Sequence, residues 1–215
     1  MTGSTVRSRA ASVEAVLLDL LMAVMDSPAV WVAAAGDERR GLAWRDATTA
    51  RMTAAGRYVS YERLAAEAAN EIGLGRPAVD ALLKRWQAIR PRPDTTAVRR
   101  LRVPYAFVTN CSRRLATVAA QRSGLEPTFV LSAQQAGWYK PDRRIYLAAT
   151  RRLGSEPGRT LFVAGSVQDA DGARAAGLRS VLVRRRADQP PPAAGVSVVE
   201  SLEEVVDAVE FGRPV

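Results

Sequence analysis

Histidine is absent from all 215 residues, and cysteine occurs once, as Cys111. The first absence excludes histidine-dependent triads, His–Cys zinc sites and imidazole general bases, and the second excludes an internal disulfide. Any catalysis must come from carboxylates, hydroxyls, lysine, arginine or the backbone. Lysine is scarce too: of 31 positive residues only Lys84 and Lys140 are lysines, so these two are exceptions to a strong arginine preference. Aromatic residues make up 6% of the chain. No apolar run reaches the ~18 residues that a membrane span needs.

What is present is ordinary for a globular chain: 47% hydrophobic and 25% charged residues, with length enough for one core or a core plus a smaller inserted domain. The formal charge of +9 is spread through nearly every predicted helix, and with so few aromatics this argues against a nucleic-acid partner. The basic segments RLRVP and VLVRRRAD read as solvated ends of elements, and RRRADQPPPAAG as an exposed connector. Residues 1–12 read as a loose polar arm. Arg7 and Arg9 precede an apolar run, as in a signal peptide, but Glu14 and Asp19 interrupt that run and Asp26 and Pro28 end it, so no secretion signal is expected.

The stretch VEAVLLDLL reads as a strand buried on both faces, because its apolar run is continuous rather than alternating. Similar runs recur at YAFVTN (105–110), TFVLSA (128–133), TLFVAG (160–165) and RSVLVRR (179–185). Between them lie helical stretches ending in glycine: SRRLATVAAQRSG, DRRIYLAATRRLG and DADGARAAG. Short VSVVE and helical SLEEVVDAVEF complete a doubly wound α/β pattern with a parallel sheet. Residues 28–95 break it. AWRDATTARMTAAG, SYERLAAEAANEIGL and AVDALLKRWQAIR have helical periodicity, which predicts an inserted α-helical module between core segments 13–27 and 96–215. Such a module covers the carboxyl edge of the sheet, where open α/β folds bind ligands.

Asp19 poses the sharpest question, since a carboxylate among leucines is expensive to bury. At the end of the first strand it stands on the rim of the crevice, where polar partners reach it. The other strand ends supply them: Thr109 and Asn110 after YAFVTN, Lys140 in AQQAGWYKPD, and Ser166 and Asp169 after TLFVAG. Cys111, with no histidine to activate it, reads as a small buried residue. The tryptophans Trp31, Trp44, Trp86 and Trp138 read as packing residues, with a place along the interface between the inserted module and the core as the alternative.

An aspartate ending the first strand, a Thr–Asn pair after the second, Lys–Pro, and an acidic loop before GARAAG together resemble the haloacid dehalogenase superfamily, over nearly the whole chain. The resemblance implies a Rossmann-like core with a helical cap and an aspartate nucleophile, Asp19. Phosphatases of that superfamily hold magnesium with a second aspartate two residues after the nucleophile and a Gly–Asp pair in the last motif. Leu21 and Gly165 stand at those positions here, although Asp169 and Asp171 remain.

YKPDRRIY is similar to the lysine motif of the metal-independent type II L-2-haloacid dehalogenases, with Tyr146 six residues after Lys140. ARMTAAGRY resembles their cap helix, which implies Arg51 as the arginine for substrate carboxylate and leaving halide, with Arg45 as second candidate. The resemblance further implies Lys140 orienting Asp19, Asp169 as base, and Thr109, Asn110 and Ser166 as hydrogen-bond donors to a small anionic substrate. It implies no cofactor, a cytoplasmic setting and possible homodimers. Two other readings stay open: a phosphatase with a reduced Mg2+ site, and a non-catalytic or repurposed binding protein, the latter suggested by apolar Leu21, Met22 and Ala23.

Overall fold

A computed structural model describes residues 12–186 and 189–213. The arm expected over 1–12 lies, apart from Ser12, outside these residues. β1 (Ala15–Asp19) is buried at every position, as a central strand covered on both faces must be. Four helices follow before the second strand: α1 (Ser27–Ala35), α2 (Glu38–Ala55), α3 (Tyr61–Glu71) and α4 (Gly75–Arg85). The chain then alternates: β2 (Tyr105–Thr109), α5 (Arg113–Ser123), β3 (Val130–Ser132), the single turn α6 (Ala133–Ala136), α7 (Arg143–Leu153), β4 (Thr160–Ala164), α8 (Val167–Ala175), β5 (Arg179–Val183), β6 (Ser197–Val199) and α9 (Leu202–Glu210).

The strands form one parallel sheet in the order β3-β2-β1-β4-β5-β6. Strand order reverses at β1 and β4, so the crevice that binds ligands in open α/β sheets opens at the carboxyl end of β1. Asp19 is the last residue of β1 and pairs in register with Val108. The doubly wound parallel sheet with inserted helices is therefore the observed architecture. No helix among the described residues is long and apolar enough to cross a membrane.

The helical insertion leaves and rejoins the sheet over one narrow stem. Met25 and Pro91 form an antiparallel bridge, Asp26 N–H donates to the Arg90 carbonyl at 2.9 Å, and Arg92 pairs with Asp26 at 3.3 Å. The sequence reading saw three helical stretches in this region. The structure adds α1, whose run of alanines around Trp31 carries no polar stripe to mark a face. An aromatic cluster fills the insertion, with Trp31 edge-on to Trp44 at 4.8 Å. Further bonds tie the insertion to the core: Tyr58 N–H to the Gly137 carbonyl at 2.9 Å, Tyr139 N–H to the Gly56 carbonyl at 3.0 Å, and Trp86 Nε1 to the Leu115 carbonyl at 3.1 Å.

Candidate active site

Asp19 ends a strand and begins a turn. The next residues, Leu20–Val24, wind as one π-helical turn closed by Met25 N–H on the Leu20 carbonyl at 2.9 Å. The Asp19 side chain accepts from Leu21 N–H at 3.4 Å, which directs the carboxylate back over the sheet edge. It is buried, with 4% of its surface exposed.

A carboxylate so placed needs a cation, and Lys140 supplies it. The ammonium donates to Asp19 Oδ1 at 2.9 Å, to Asp169 Oδ2 at 2.5 Å and to the Val108 carbonyl at 3.4 Å. All three of its donors are thereby used. The Tyr146 hydroxyl donates to Asp169 Oδ1 at 2.6 Å. The second oxygen of Asp19 has no hydrogen bond among the described residues and borders the cavity. The four side chains Asp19, Lys140, Asp169 and Tyr146 thus form one buried chain of charge-assisted hydrogen bonds, ending on a carboxylate oxygen aimed into open space.

The electrostatics follow from this geometry. Burial works to lower the Lys140 pKa, but Asp169 and Asp19 together outweigh it, so the ammonium is held above its ordinary value. Burial raises Asp169 above the ordinary carboxylate range, with Lys140 opposing and Asp19 reinforcing the rise. Tyr146 is raised well above its ordinary value by burial and by the charge of Asp169, so it remains a donor.

Local structure explains why these groups meet. Asn110, one residue past β2, accepts from Lys140 N–H at 2.7 Å and donates to the Lys140 carbonyl at 2.9 Å, pinning that residue ahead of the cis Lys140–Pro141 peptide. Ser166 caps α8 by accepting from Asp169 N–H at 3.4 Å, which sets Asp169 in the first turn. Gly172 lets α8 come close: a Cβ there would lie 2.5 Å from Pro141 Cβ and 2.9 Å from the Tyr146 oxygen. Any side chain would push Asp169 off Tyr146.

A magnesium ion does not fit these residues. Leu21 offers no side-chain oxygen, and the backbone of Met22 and Ala23 packs so closely on Gly165 that a Cβ there would lie 2.3 Å from the Met22 carbonyl carbon. The Lys140 ammonium already stands between the two carboxylates. Asp171, thought able to support a reduced metal site, instead accepts from Ala193 N–H at 2.8 Å. No cluster of three or more acidic, histidine or cysteine side chains suited to a metal occurs among the described residues.

The cavity in front of Asp19 encloses about 80 Å³. Its core wall is Asp19, Leu21, Met22, Asn110, Lys140, Ser166, Gln168 and Asp169, and its opposite wall comes from the insertion: Ser27, Trp31, Arg45, Thr48, Thr49, Met52 and Tyr61. Of the expected site residues, Asp19, Lys140, Asp169, Asn110 and Ser166 line it. Tyr146 does not, and its hydroxyl meets Asp169 instead. Thr109 does not either: it is fully buried, with its hydroxyl 3.4 Å from Cys111 Sγ. Cys111 is buried as expected, and burial pushes its thiol up to about 12.

Arg51 is a correction. It points away from the cavity and pairs with Glu71 across α2 and α3. Arg45 lines the cavity instead, with one guanidinium nitrogen 3.2 Å from Met22 Sδ. The physical reason is helical phase: Arg45, Thr48, Thr49 and Met52 lie at i, i+3, i+4 and i+7 and share one face, whereas six residues past Arg45 the helix has turned Arg51 off it. That spacing is present in the sequence and marks the face. Trp31, Tyr61 and Gln168 had no such signal.

The described residues of the connector after β5 are exposed or half-buried, as expected, and the correction there concerns Arg185 alone. Arg185 is half-buried, with 8% of its side chain exposed, and donates to the Ala23 carbonyl at 2.5 Å while pairing with Asp94 at 2.7 Å. Arg92 donates to the Met22 carbonyl at 3.2 Å and the Thr95 hydroxyl to the Val24 carbonyl at 2.7 Å. Three consecutive carbonyls of the turn behind Asp19 are therefore held by side chains. Gln189 adds a bond to the Gly165 carbonyl at 3.1 Å. These contacts make the turn rigid although it carries no polar side chain of its own.

The sequence pattern of the haloacid dehalogenase-like hydrolases matches residues 16–177, from β1 through α8. The chain belongs to this hydrolase family. Among the family's curated members, (S)-2-haloacid dehalogenase H-109 of Pseudomonas putida is 31% identical over 143 residues, 61% of this chain and 64% of that protein. The match thus spans a little under two thirds of that relative. Among solved structures, a dehalogenase with an intermediate complex superposes with a TM-score of 0.79 at 24% identity, over 91% of this chain and 96% of the other. The L-2-haloacid dehalogenase from Xanthobacter autotrophicus gives 0.79 at 18% identity, over 92% and 98%. At these identities the superpositions establish the shared haloacid dehalogenase fold.

Proposed function

We propose that this family member is a metal-independent hydrolase of small 2-substituted carboxylic acids, with Asp19 as nucleophile and the helical insertion as a cap over the site. The observation that carries this reading is the Lys140 ammonium held between Asp19 and Asp169, 2.9 Å and 2.5 Å from their oxygens. A carboxylate nucleophile needs its charge stabilised but its lone pair free, and a single buried ammonium on one oxygen does both. The similarity to (S)-2-haloacid dehalogenase H-109 supports the substrate class.

In the first step the free Asp19 oxygen attacks C2, the carbon–halogen bond breaks, and halide leaves as an ester forms. Arg45, the one guanidinium on the cavity wall among the described residues, is placed for the substrate carboxylate or the departing anion. In the second step water adds to the ester carbonyl and gives up a proton, and Asp169, a stronger base than an ordinary carboxylate, accepts it. Ester cleavage returns Asp19 and releases a 2-hydroxy acid. Ser166 and Asn110 border the same space and orient the reacting oxygens. With one thiol and no disulfide, the chain suits the reducing cytoplasm.

Halide release from L- and D-2-haloacids in EDTA, compared between the parent and Asp19→Asn, tests this. Stereoselective release that survives EDTA and vanishes in the variant is the expected result. Absence of release across the panel would sink the reading.

A further inference from the structure

The cavity wall contains a buried tyrosine hydroxyl that the chemistry above does not use. Tyr61, the first residue of α3, is only 3% exposed, and its ring packs edge-on between Trp31 at 6.4 Å and Trp86 at 6.2 Å. Its backbone N–H is met by the Tyr58 hydroxyl at 3.4 Å. Its own hydroxyl has no hydrogen-bond partner among the described residues. That oxygen is not sealed in protein, since the only fully enclosed, unpartnered side-chain polar atoms among those residues are Arg51 Nε and Arg185 Nε. Tyr61 lines the cavity in front of Asp19, so the hydroxyl meets cavity space.

A phenylalanine would pack between the two tryptophans equally well. Placing a hydroxyl in an apolar wall, beside Trp31, Met52 and Leu21, costs stability unless a ligand or water meets it. Burial also holds Tyr61 well above its ordinary pKa, so it keeps its proton. It is therefore a donor, and the partner it lacks is an acceptor. Lys140 has no donor to spare, and the Thr48 and Thr49 hydroxyls donate to the Trp44 and Arg45 carbonyls, which leaves Arg45 and Tyr61 as the donors that helices α2 and α3 offer an anion in this cavity.

We propose that Tyr61 is a substrate-binding residue whose hydroxyl donates a hydrogen bond to an acceptor oxygen of the bound acid. This rests on the proposed function for the identity of the ligand as a carboxylic acid. Two oxygens have the right chemistry: the carboxylate common to all such acids, or a second acceptor carried on the 2-substituent. A buried donor that loses its acceptor discriminates strongly, so the contact sets specificity as well as affinity.

The test is calorimetric binding of two product-like probes, 2-hydroxybutanoate and malate, to the parent and to Tyr61→Phe, with melting temperature as the check on folding. The expected result is that Tyr61→Phe, with unchanged melting, weakens binding by about tenfold or more. Equal weakening of both probes assigns the bond to the shared carboxylate, and weakening of malate alone assigns it to the substituent oxygen. Binding of both probes unchanged in the variant, or no binding of either probe by the parent, overturns the inference. If Tyr61→Phe weakens binding but the parent releases no halide from any 2-haloacid, the hydrolytic reading fails and the Tyr61 contact stands.

Discussion

Asn110 holds Lys140 by the backbone, accepting from its N–H at 2.7 Å and donating to its carbonyl at 2.9 Å. This bracket, rather than the side chain's own packing, fixes where the ammonium enters the sheet edge. Asn110→Ala is expected to leave the protein folded, at a cost of about 1–3 kcal/mol for the unmet buried groups. Activity should fall by about 100-fold as Lys140 loses its alignment on Asp19. Urea denaturation and kcat for halide release check the two halves, and unchanged kcat would remove Asn110 from the positioning role.

Lys140→Met leaves two buried carboxylates facing one another. Breaking a buried charge pair from one side costs about 3–5 kcal/mol, and the loss should be visible as a lowered urea midpoint. Adding Asp169→Asn to it removes one of the stranded charges. The double variant is expected to recover part of the stability and none of the activity. A double variant no more stable than Lys140→Met would show that the two stranded carboxylates do not destabilise one another.

The raised pKa values set opposite limits in pH. In the proposed mechanism Asp169 acts as base when ionised, so hydrolysis should fail on the acid side as pH drops through a value above the ordinary 3.8 of an aspartate. Its folded pKa exceeds its unfolded one, so protonated Asp169 stabilises the fold at low pH and that contribution disappears as pH rises through the folded value. Lys140, raised above 10.5, contributes stability that is complete below 10.5 and lost as pH climbs through its folded value. A pH–rate profile and urea melts from pH 8 upward test both limbs. A Lys140→Met protein whose alkaline limb matched the parent's would refute the second.

Arg185 joins the turn behind Asp19 to Asp94, and Asp94 also accepts from Leu202 N–H at 2.9 Å at the start of α9. Arg185→Met strands Asp94 and the Ala23 carbonyl together, for an expected loss of about 3 kcal/mol. Arg185→Lys keeps the charge but cannot span both acceptors with a fork, so it should restore stability in part while kcat stays low. Equal kcat in Arg185→Lys and the parent would show that the turn holds Asp19 without this clamp.

Much of the core half of the site was readable beforehand. Strands of a parallel sheet appear as continuous apolar runs, and polar residues at their carboxyl ends converge because the strands are parallel and in register. Asp19, Asn110, Lys140, Ser166 and Asp169 could be named on that ground. The insertion half was harder. Arg45 and Arg51 are equivalent in composition, and only the face shared with Thr48, Thr49 and Met52 separates them. Arg185 sits in a stretch whose composition predicts solvation, while its partners lie 162 and 91 residues away, and no local pattern encodes a contact at that range.

The sequence by itself determined the alternation of strands and helices, the place of the insertion, and a chemistry confined to carboxylates, one exceptional lysine, arginine and hydroxyls. These follow from hydrophobic period and residue type, which are local properties. Tertiary structure decided which arginine and which tyrosine meet Asp19 across the cavity, and which carbonyls the distant guanidiniums hold. The reason is geometric: a helix presents every residue type on all sides, and only packing against the sheet selects the face that becomes a wall of the site.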